Sequence, residues 1–500
     1  MKNIYAAIDV GSNQMKLKII QYVQGHMEVI ENMSKSVNIG QGVFSHGYID
    51  HEEVKEIIET LKFFQEIMRG YDVSKYRAVG TSAMRAAENG RNVIEMIFMK
   101  TGIEVEILED TMEKYLTYKS MRDNLPDYKK IRNSAMLVEM NTGSCDISIY
   151  NRSVLVFNEE FILGTLVLKN IMQELEMHSS EYPRVINELI VSRTRHIWQS
   201  ILQKKIKHFM AIGGEVRLMK KHIFNNQEII DRKTFNKVYT RVIEDHRLYR
   251  KEIEALEMDW YEFVSCVLIY HTFFDLLKTD QLLFPEINLR DGMLAEMIEK
   301  DYQVTKYQIF RNDTISLARQ ISKRYRSEIN HCRNIELNAI MLYKGLKEQF
   351  LFDEEDELLL RVSAVLHEIG KFTRMKDYHL ATFQKIQNLN IVGLTHNDML
   401  FIAYVCRFMT GGRFNYDEGL NMDLKVHNRI FKLASIMAIA DALDKSKMQK
   451  ISVERTEIID ERFNIYISKK GETILEEWDF EKRKKDFMNT FGIVPRIIEV

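Results

Sequence analysis

The chain is poor in cysteine and proline, and each shortage excludes something. Its four cysteines, Cys145, Cys266, Cys332 and Cys406, form no Cys-x-x-Cys pair, so neither a zinc-ribbon pattern nor a disulfide framework is indicated. Four prolines in 500 residues leave no proline-rich linker to mark a boundary. The net charge of −2 provides no global basic field to recruit nucleic acid, so any anion must be held by local clusters. No uninterrupted apolar run reaches membrane-spanning length, and Asp9 interrupts the first apolar stretch too early for a signal peptide. What remains is ordinary globular composition, 45% hydrophobic and 28% charged. The expectation is a cytoplasmic, reduced protein of two to four domains, with no nucleic-acid or membrane partner.

The richest stretch is Ala6-Ala7-Ile8-Asp9-Val10-Gly11-Ser12-Asn13, followed by the alternating run Met15 to Ile20. An apolar strand ends in an acid, a Gly-Ser-Asn turn follows, and a second strand leads away. Gly11 admits close backbone approach and Ser12 and Asn13 add donors, a combination suited to phosphate. Asp9 is placed to act through a hard cation. The pattern returns 130 residues later as Met136-Leu137-Val138-Glu139-Met140-Asn141-Thr142-Gly143-Ser144, with Glu139 in the place of Asp9. A repeated acid-plus-turn unit implies a duplicated domain with a cleft between the halves.

Further along, Asp50 and Glu53 form a capping box for a helix whose Val54, Ile57, Leu61, Phe64 and Met68 face a core. Ile39-Gly40-Gln41-Gly42 reads as a glycine-punctuated loop. The strand 76–79 runs into Gly80-Thr81-Ser82-Ala83-Met84-Arg85, where Thr81 and Ser82 offer donors to an anion at a helix start. Arg85 in the first turn opposes the helix dipole, which favours a phosphate-facing role over a stabilising one. Phe209 to Arg217 reads as strand, the double glycine Gly213-Gly214, then helix, a device for passing phosphate across a helix N-terminus. Residues 182–205 read as one long helical region. From about Arg311 helix follows helix, and from about Ile451 an alternating tail reads as a small strand-containing unit. Lys482 to Lys485 read as a solvated helix face.

Together these segments resemble the exopolyphosphatase and guanosine pentaphosphate phosphohydrolase family of the acetate-kinase, sugar-kinase and actin superfamily. The matching stretches are 8–13, 80–90, the strand and helix around Glu113, the turn at 139–146, Leu163-Gly164, Ile212-Gly213-Gly214 with Val216-Arg217, and 289–293. Leu366-His367-Glu368-Ile369-Gly370 and Ala440-Asp441-Ala442-Leu443-Asp444 look like an HD-type domain. The resemblance implies an α/β fold. Two ribonuclease H-like (actin/sugar-kinase-type) domains are expected over 1–124 and 125–305, an all-α HD-like domain over 306–448, and a small α+β C-terminal unit over 449–500. It further implies a hydrolase releasing terminal phosphate from polyphosphate or guanosine pentaphosphate, with Glu113 as base and Arg85 as phosphate ligand. Asp9 and Glu139 would face magnesium. Gly11, Ser12, Asn13, Thr81, Ser82, Gly143, Ser144, Gly213 and Gly214 would cradle phosphate, and the helical domain would help form a polyanion channel and a homodimer interface.

Departures from the family pattern sit at the site itself. The second loop reads Glu139-Met140-Asn141-Thr142-Gly143-Ser144 where the family has Asp-x-Gly-Gly-Gly-Ser. A β-branched Thr142 tolerates positive φ poorly. Lys114 replaces the alanine that usually follows the glutamate and is expected to point to solvent; Gln14 and Glu215 replace hydroxyl residues. His331, His367, Glu368 and Asp441 keep the HD ligand order with Glu for Asp, and a metal-free helical domain is the expectation. The rival reading is a weak homologue that binds polyphosphate or nucleotide and acts as a regulator.

Overall fold

The computed structural model describes residues 3–23, 25–125, 127–302, 308–410 and 423–500. The chain divides into two compact units, Met1–Phe310 and Arg311–Val500. The expected boundary at 305/306 lies outside the described residues.

The first unit holds two sheets. The first contains β1 (Ile4–Val10), β2 (Gln14–Val23), β3 (His26–Ser36), β4 (Lys75–Gly80) and β5 (Val105–Ile107), in the order β3-β2-β1-β4-β5. The second contains β6 (Ser134–Met140), β7 (Cys145–Asn151), β8 (Val154–Phe161), β9 (His208–Gly213), β10 (Ile229–Asp231) and β11 (Gln281–Leu283). Its order is β10-β11-β9-β6-β7-β8. Each sheet therefore begins with an antiparallel three-strand meander and then places its fourth strand parallel to the first. The repeat inferred from Asp9 and Glu139 is thus a repeat of topology. β1 and β6 sit inside their sheets and, apart from Ser134 at the start of β6, are largely apolar on both faces except at those two acids.

Two core clusters pack against the sheets. The helix His51–Gly70 contributes Val54, Ile57, Leu61, Phe64 and Met68 to the first, and its start is closed by the Asp50–Glu53 capping box. Trp260–Leu276 is buried on nearly every side, as its nearly unbroken apolar sequence requires. Two local expectations are corrected. Residues 39–42 are helical, within Ile39–His46, because Gly40 serves close packing: a Cβ there would lie 2.9 Å from Ser12 Cβ. The region 182–205 breaks into Tyr182–Thr194, a 3-10 turn at Arg195–Ile197 and Trp198–Leu202.

The second unit is mainly helical, with Ile329–Leu346, Glu354–Leu366, Tyr378–Ile386, His396–Phe408 and Leu424–Ala442 as its main described helices. It ends in a sheet of β12 (Ile451–Ile459), β13 (Arg462–Lys469) and β14 (Val494–Glu499), with Ile474–Phe491 between the last two strands. The basic run of that helix is a surface feature. Lys482 lies over the Trp478 ring and Lys484 pairs with Glu481. Among the described residues, no helix is long and apolar enough to cross a membrane.

Candidate active site

A cleft of about 600 Å³ opens in the first unit and is lined from both sheets. From the first half come Asp9, Gly11, Ser12, Asn13, Lys16, Thr81, Ser82 and Glu113. From the second come Glu139, Asn141, Thr142, Thr165, Gly213, Gly214 and Arg217. A more voluminous open hollow of about 930 Å³, beside Lys233, Lys237 and Arg241, contains none of these groups.

The Gly11 turn is held from both sides. Gly11 N–H donates to the Gln14 carbonyl at 3.1 Å, while Gly40 and Val37 N–H groups occupy the carbonyls of Ser12 and Asn13. Carbonyls that would repel a phosphate are thereby engaged. Ser12 Oγ and Ser82 Oγ lie 2.9 Å apart, which ties the Gly11 turn to the Thr81–Ser82 loop. The helix after Thr81 is only Ser82–Ala86, so that loop offers mainly hydroxyls rather than a long helix dipole.

Glu113 stands in the first turn of the Asp110–Asn124 helix. Arg85 Nη1 lies 3.2 Å from its carboxylate and Arg85 Nη2 lies 3.8 Å from Asp110. Arg85 does not line the cleft; it reaches it through Glu113. Burial pushes the Glu113 carboxyl up to about 7, with Asp9 and Asp110 adding to the rise and Arg85 opposing it. A carboxyl poised there suits proton transfer near neutral pH.

Asp9 and Glu139 face the cleft from equivalent strand ends. Burial raises both carboxyls, Asp9 against the pull of Lys16, Arg290 and Arg217, and Glu139 with help from Asp146 and Glu113. Asp9 Oδ1 and Glu139 Oε2 are screened from solvent and, among the described residues, accept no hydrogen bond. Two such oxygens in a phosphate-sized cleft are the donor set a hard divalent cation takes, so the residues fit magnesium.

The second loop differs from expectation. Gly143 and Ser144 do not line the cleft; Asn141 and Thr142 do. The carbonyls of Asn141, Thr142 and Gly143 accept from Thr165, Leu166 and Gly164 N–H, which pins the loop onto the start of the Thr165–Glu176 helix. The approach is so close that a Cβ on Gly164 would meet Thr142 O and Gly143 C at 2.3 Å. Neither Asn141 nor Thr142 adopts positive φ, so the β-branched residue is unstrained here.

Lys114 does not point to solvent. Its side chain is 4% exposed, and it pairs with Asp110, with Asp146 at 2.6 Å and with Glu160 at 3.5 Å. Lys16 and Arg290 also escaped sequence reasoning. Lys16 lies opposite Asp9 in the β1–β2 ladder, and Arg290 is held by Leu17 O and Asn32 Oδ1 at the cleft wall. The strand register was the signal that could have found Lys16: a residue opposite a buried acid shares its face.

In the second unit, His331, His367 and Asp441 each offer a ligand atom within 4.8 Å of the others. Glu368 is bonded instead by Lys371 and by Lys447 at 2.8 Å. Burial opposes protonation of His331, yet the Asp441 and Glu368 carboxylates at 3.6 and 3.5 Å from Nε2 and the hydrogen bond of Nδ1 to Asp444 at 2.8 Å raise it to about 10. It is the central cation of this cluster.

A duplicated sheet topology, with a phosphate-sized cleft between the halves and an acid at each central strand end, defines an actin- and sugar-kinase-like fold. Residues 18–301 match the Ppx/GppA phosphatase family and residues 311–484 match Ppx/GppA phosphatase, domain III. The chain belongs to the Ppx/GppA phosphatase family and is, as a member, a phosphoanhydride hydrolase. It is 20% identical over 413 residues to the guanosine-5'-triphosphate,3'-diphosphate pyrophosphatase of Vibrio parahaemolyticus, covering 81% of this chain and 80% of the relative. The protein of that name from Vibrio vulnificus is 20% identical, with 91% and 89% covered. In fold the chain is similar to the Ppx/GppA member of Aquifex aeolicus, with TM-score 0.51, 17% identity, and 60% and 99% of the two chains covered. An exopolyphosphatase of Cytophaga hutchinsonii gives TM-score 0.51 at 19% identity, with 60% and 98% covered.

Proposed function

We propose that the cleft hydrolyses the terminal phosphoanhydride of guanosine pentaphosphate or of inorganic polyphosphate, with Glu113 as the base that activates water. The observation carrying this reading is Glu113 itself, a cleft carboxyl raised to about 7 and oriented by Arg85. Glu113 takes the proton of the attacking water, and Arg85, behind it, holds its carboxylate in place. Ser12, Thr81 and Ser82 hydroxyls and the Gly213–Gly214 backbone hold the phosphate oxygens, with Gly11 shaping the turn between them. Phosphoryl transfer needs positioning and charge neutralisation more than covalent chemistry, and these groups supply both. Magnesium bound by Asp9 and Glu139 would supply neutralisation of the phosphate oxygens.

The two substrates are those named for the relatives, guanosine pentaphosphate for the curated ones and polyphosphate for the Cytophaga protein. Glu215 and Glu262 line the Gly213–Arg217 side of the cleft. Burial and its neighbour Glu262 push Glu215 up to about 8, so the pair keeps a proton at neutral pH and repels a polyanion less. The test is phosphate release by the full chain with magnesium from each substrate in turn. Release from at least one is expected. Tight binding of both without release overturns the reading and favours the alternative, a polyphosphate- or nucleotide-binding regulator.

A further inference from the structure

The two halves of the first unit answer the same electrostatic problem differently. In the first, the cross-strand partner of Asp9 is Lys16, so acid meets cation within the hairpin. In the second, the partner of Glu139 is Asp146, and the partner of Asp146 on the next strand is Glu160. Three acids thus stand in one row across β6, β7 and β8. Like charges directly opposite one another in a sheet are destabilising, the more so where water is excluded, and Asp146 is only 1% exposed. A proton or a cation must relieve that repulsion, and the structure places a cation there.

That cation comes from outside the sheet. Lys114, on the Asp110–Asn124 helix, contacts Asp110, Asp146 and Glu160 at once. One carboxylate oxygen from each of those acids lies within 4.8 Å of the other two, a spacing that oxygen ligands adopt around a hard divalent ion. The ammonium occupies the place such an ion would take. Asp146, held from this side by Lys114, also accepts from Asn141 Nδ2 at 3.3 Å, and Asn141 lines the cleft. Lys114 itself follows Glu113 directly in the chain.

We infer that Lys114 is a built-in cation standing in the place of a divalent ion at the Asp110–Asp146–Glu160 cluster, where it also holds Asn141 through Asp146 from behind the cleft. Asp9 and Glu139 are then the cleft's remaining demand for metal. The inference rests on the proposed function only for the task that the positioned residue performs; the replacement of an ion by Lys114 stands without it. Arginine keeps the charge, whereas alanine vacates the space between three acids. Lys114→Ala should therefore create a cation site that the native protein lacks.

The experiment is Mn²⁺ binding to the full chain by equilibrium dialysis with paramagnetic resonance, on native protein, Lys114→Ala, Lys114→Arg and the double variant Lys114→Ala/Asp146→Asn. Thermal unfolding with and without Mg²⁺ accompanies it. Lys114→Ala is expected to bind one more Mn²⁺ per chain than native, and to gain more in unfolding midpoint from Mg²⁺. Lys114→Arg should keep the native count, and the double variant should lose the extra ion. If Lys114→Ala is unfolded without metal, its folding on addition of Mg²⁺ or Mn²⁺ supports the inference, and failure of both ions to fold it overturns it. A folded Lys114→Ala with the native count, or an extra ion that survives Asp146→Asn, reduces Lys114 to a structural ion pair. A native protein that releases no phosphate refutes the proposed function and leaves this comparison of counts intact.

Discussion

The cleft and the helical unit each bury a group of acids, and they treat them in opposite ways. In the cleft, among the described residues, Asp9 Oδ1 and Glu139 Oε2 accept no hydrogen bond, and Arg85 is the side chain that bonds Glu113. In the helical unit the acids have partners, Asp441 through His331 and Lys445 at 3.6 Å, although His331 Nε2 and His367 Nε2 are buried with no hydrogen bond among the described residues. His331 donates to Asp444 at 2.8 Å, Gln449 N–H reaches the same carboxylate at 2.7 Å, and two lysines bond Glu368. The electrostatics follow suit. Burial raises the cleft carboxyls, whereas in the helical cluster burial is outweighed, and His331, His367 and nearby lysines hold Glu368 and Asp441 well below the usual range. Unanswered buried acids cost stability and persist where a ligand completes them; answered ones hold a fold together. The difference separates chemistry from architecture.

The largest expected effect tests the unanswered side. Asp9→Asn removes one of two proposed cation ligands, and a cation is worth several kcal/mol of transition-state stabilisation, so magnesium-dependent turnover should fall about a thousandfold. Circular dichroism should show the fold retained. The second effect tests the answered side. His331→Leu leaves Asp441, Asp444 and Glu368 without their central cation and should cost about 3–5 kcal/mol in denaturant unfolding of the helical unit. If both variants instead changed turnover and stability alike, the contrast between the two regions would not hold.

Two smaller effects sharpen the contrast. Glu139→Asp withdraws the carboxylate by about 1.5 Å, and a displacement of that order costs up to about a hundredfold in rate. Turnover should fall with the overall fold unchanged; a rise would mark the loop as decayed rather than adapted to glutamate. The pH responses should also differ in sign. Glu113 works as a base only when deprotonated, so activity should climb about tenfold per pH unit below pH 7 and level off above it. If magnesium binds beside Asp9, it should move that limb lower by cancelling the acid's contribution. His331 has a folded-state pKa of about 10 against 6.5 in its unfolded form. Its stabilisation is complete below pH 6.5 and is lost as pH rises through about 10. Unfolding of the helical unit at stepped pH measures that loss.

Local signals made much of this legible. The Asp9 turn, the Asp50–Glu53 box and the repeat at Glu139 depend on neighbours in sequence, and all could be read from it. The burial of Lys114 could not. The Asp110–Asn124 helix is polar with no clear apolar stripe, yet residues 114–121 are buried. Ion pairs such as Lys119–Glu299 and Arg122–Glu299 bring its charges inside, and those partners lie 180 and 177 residues along the chain. The exchange of Gly143 and Ser144 for Asn141 and Thr142 at the cleft wall was hidden for a similar reason. It depends on how the 141–144 loop seats on Gly164, a contact across a strand pair.

The most direct test of the central claim compares native protein with Glu113→Gln, following phosphate release and ligand binding on the same samples with magnesium. Removal of a general base costs about a hundredfold to ten-thousandfold in rate. The account predicts a loss of that size with binding retained. Equal release from the two proteins would contradict it, because the water would then be activated without Glu113.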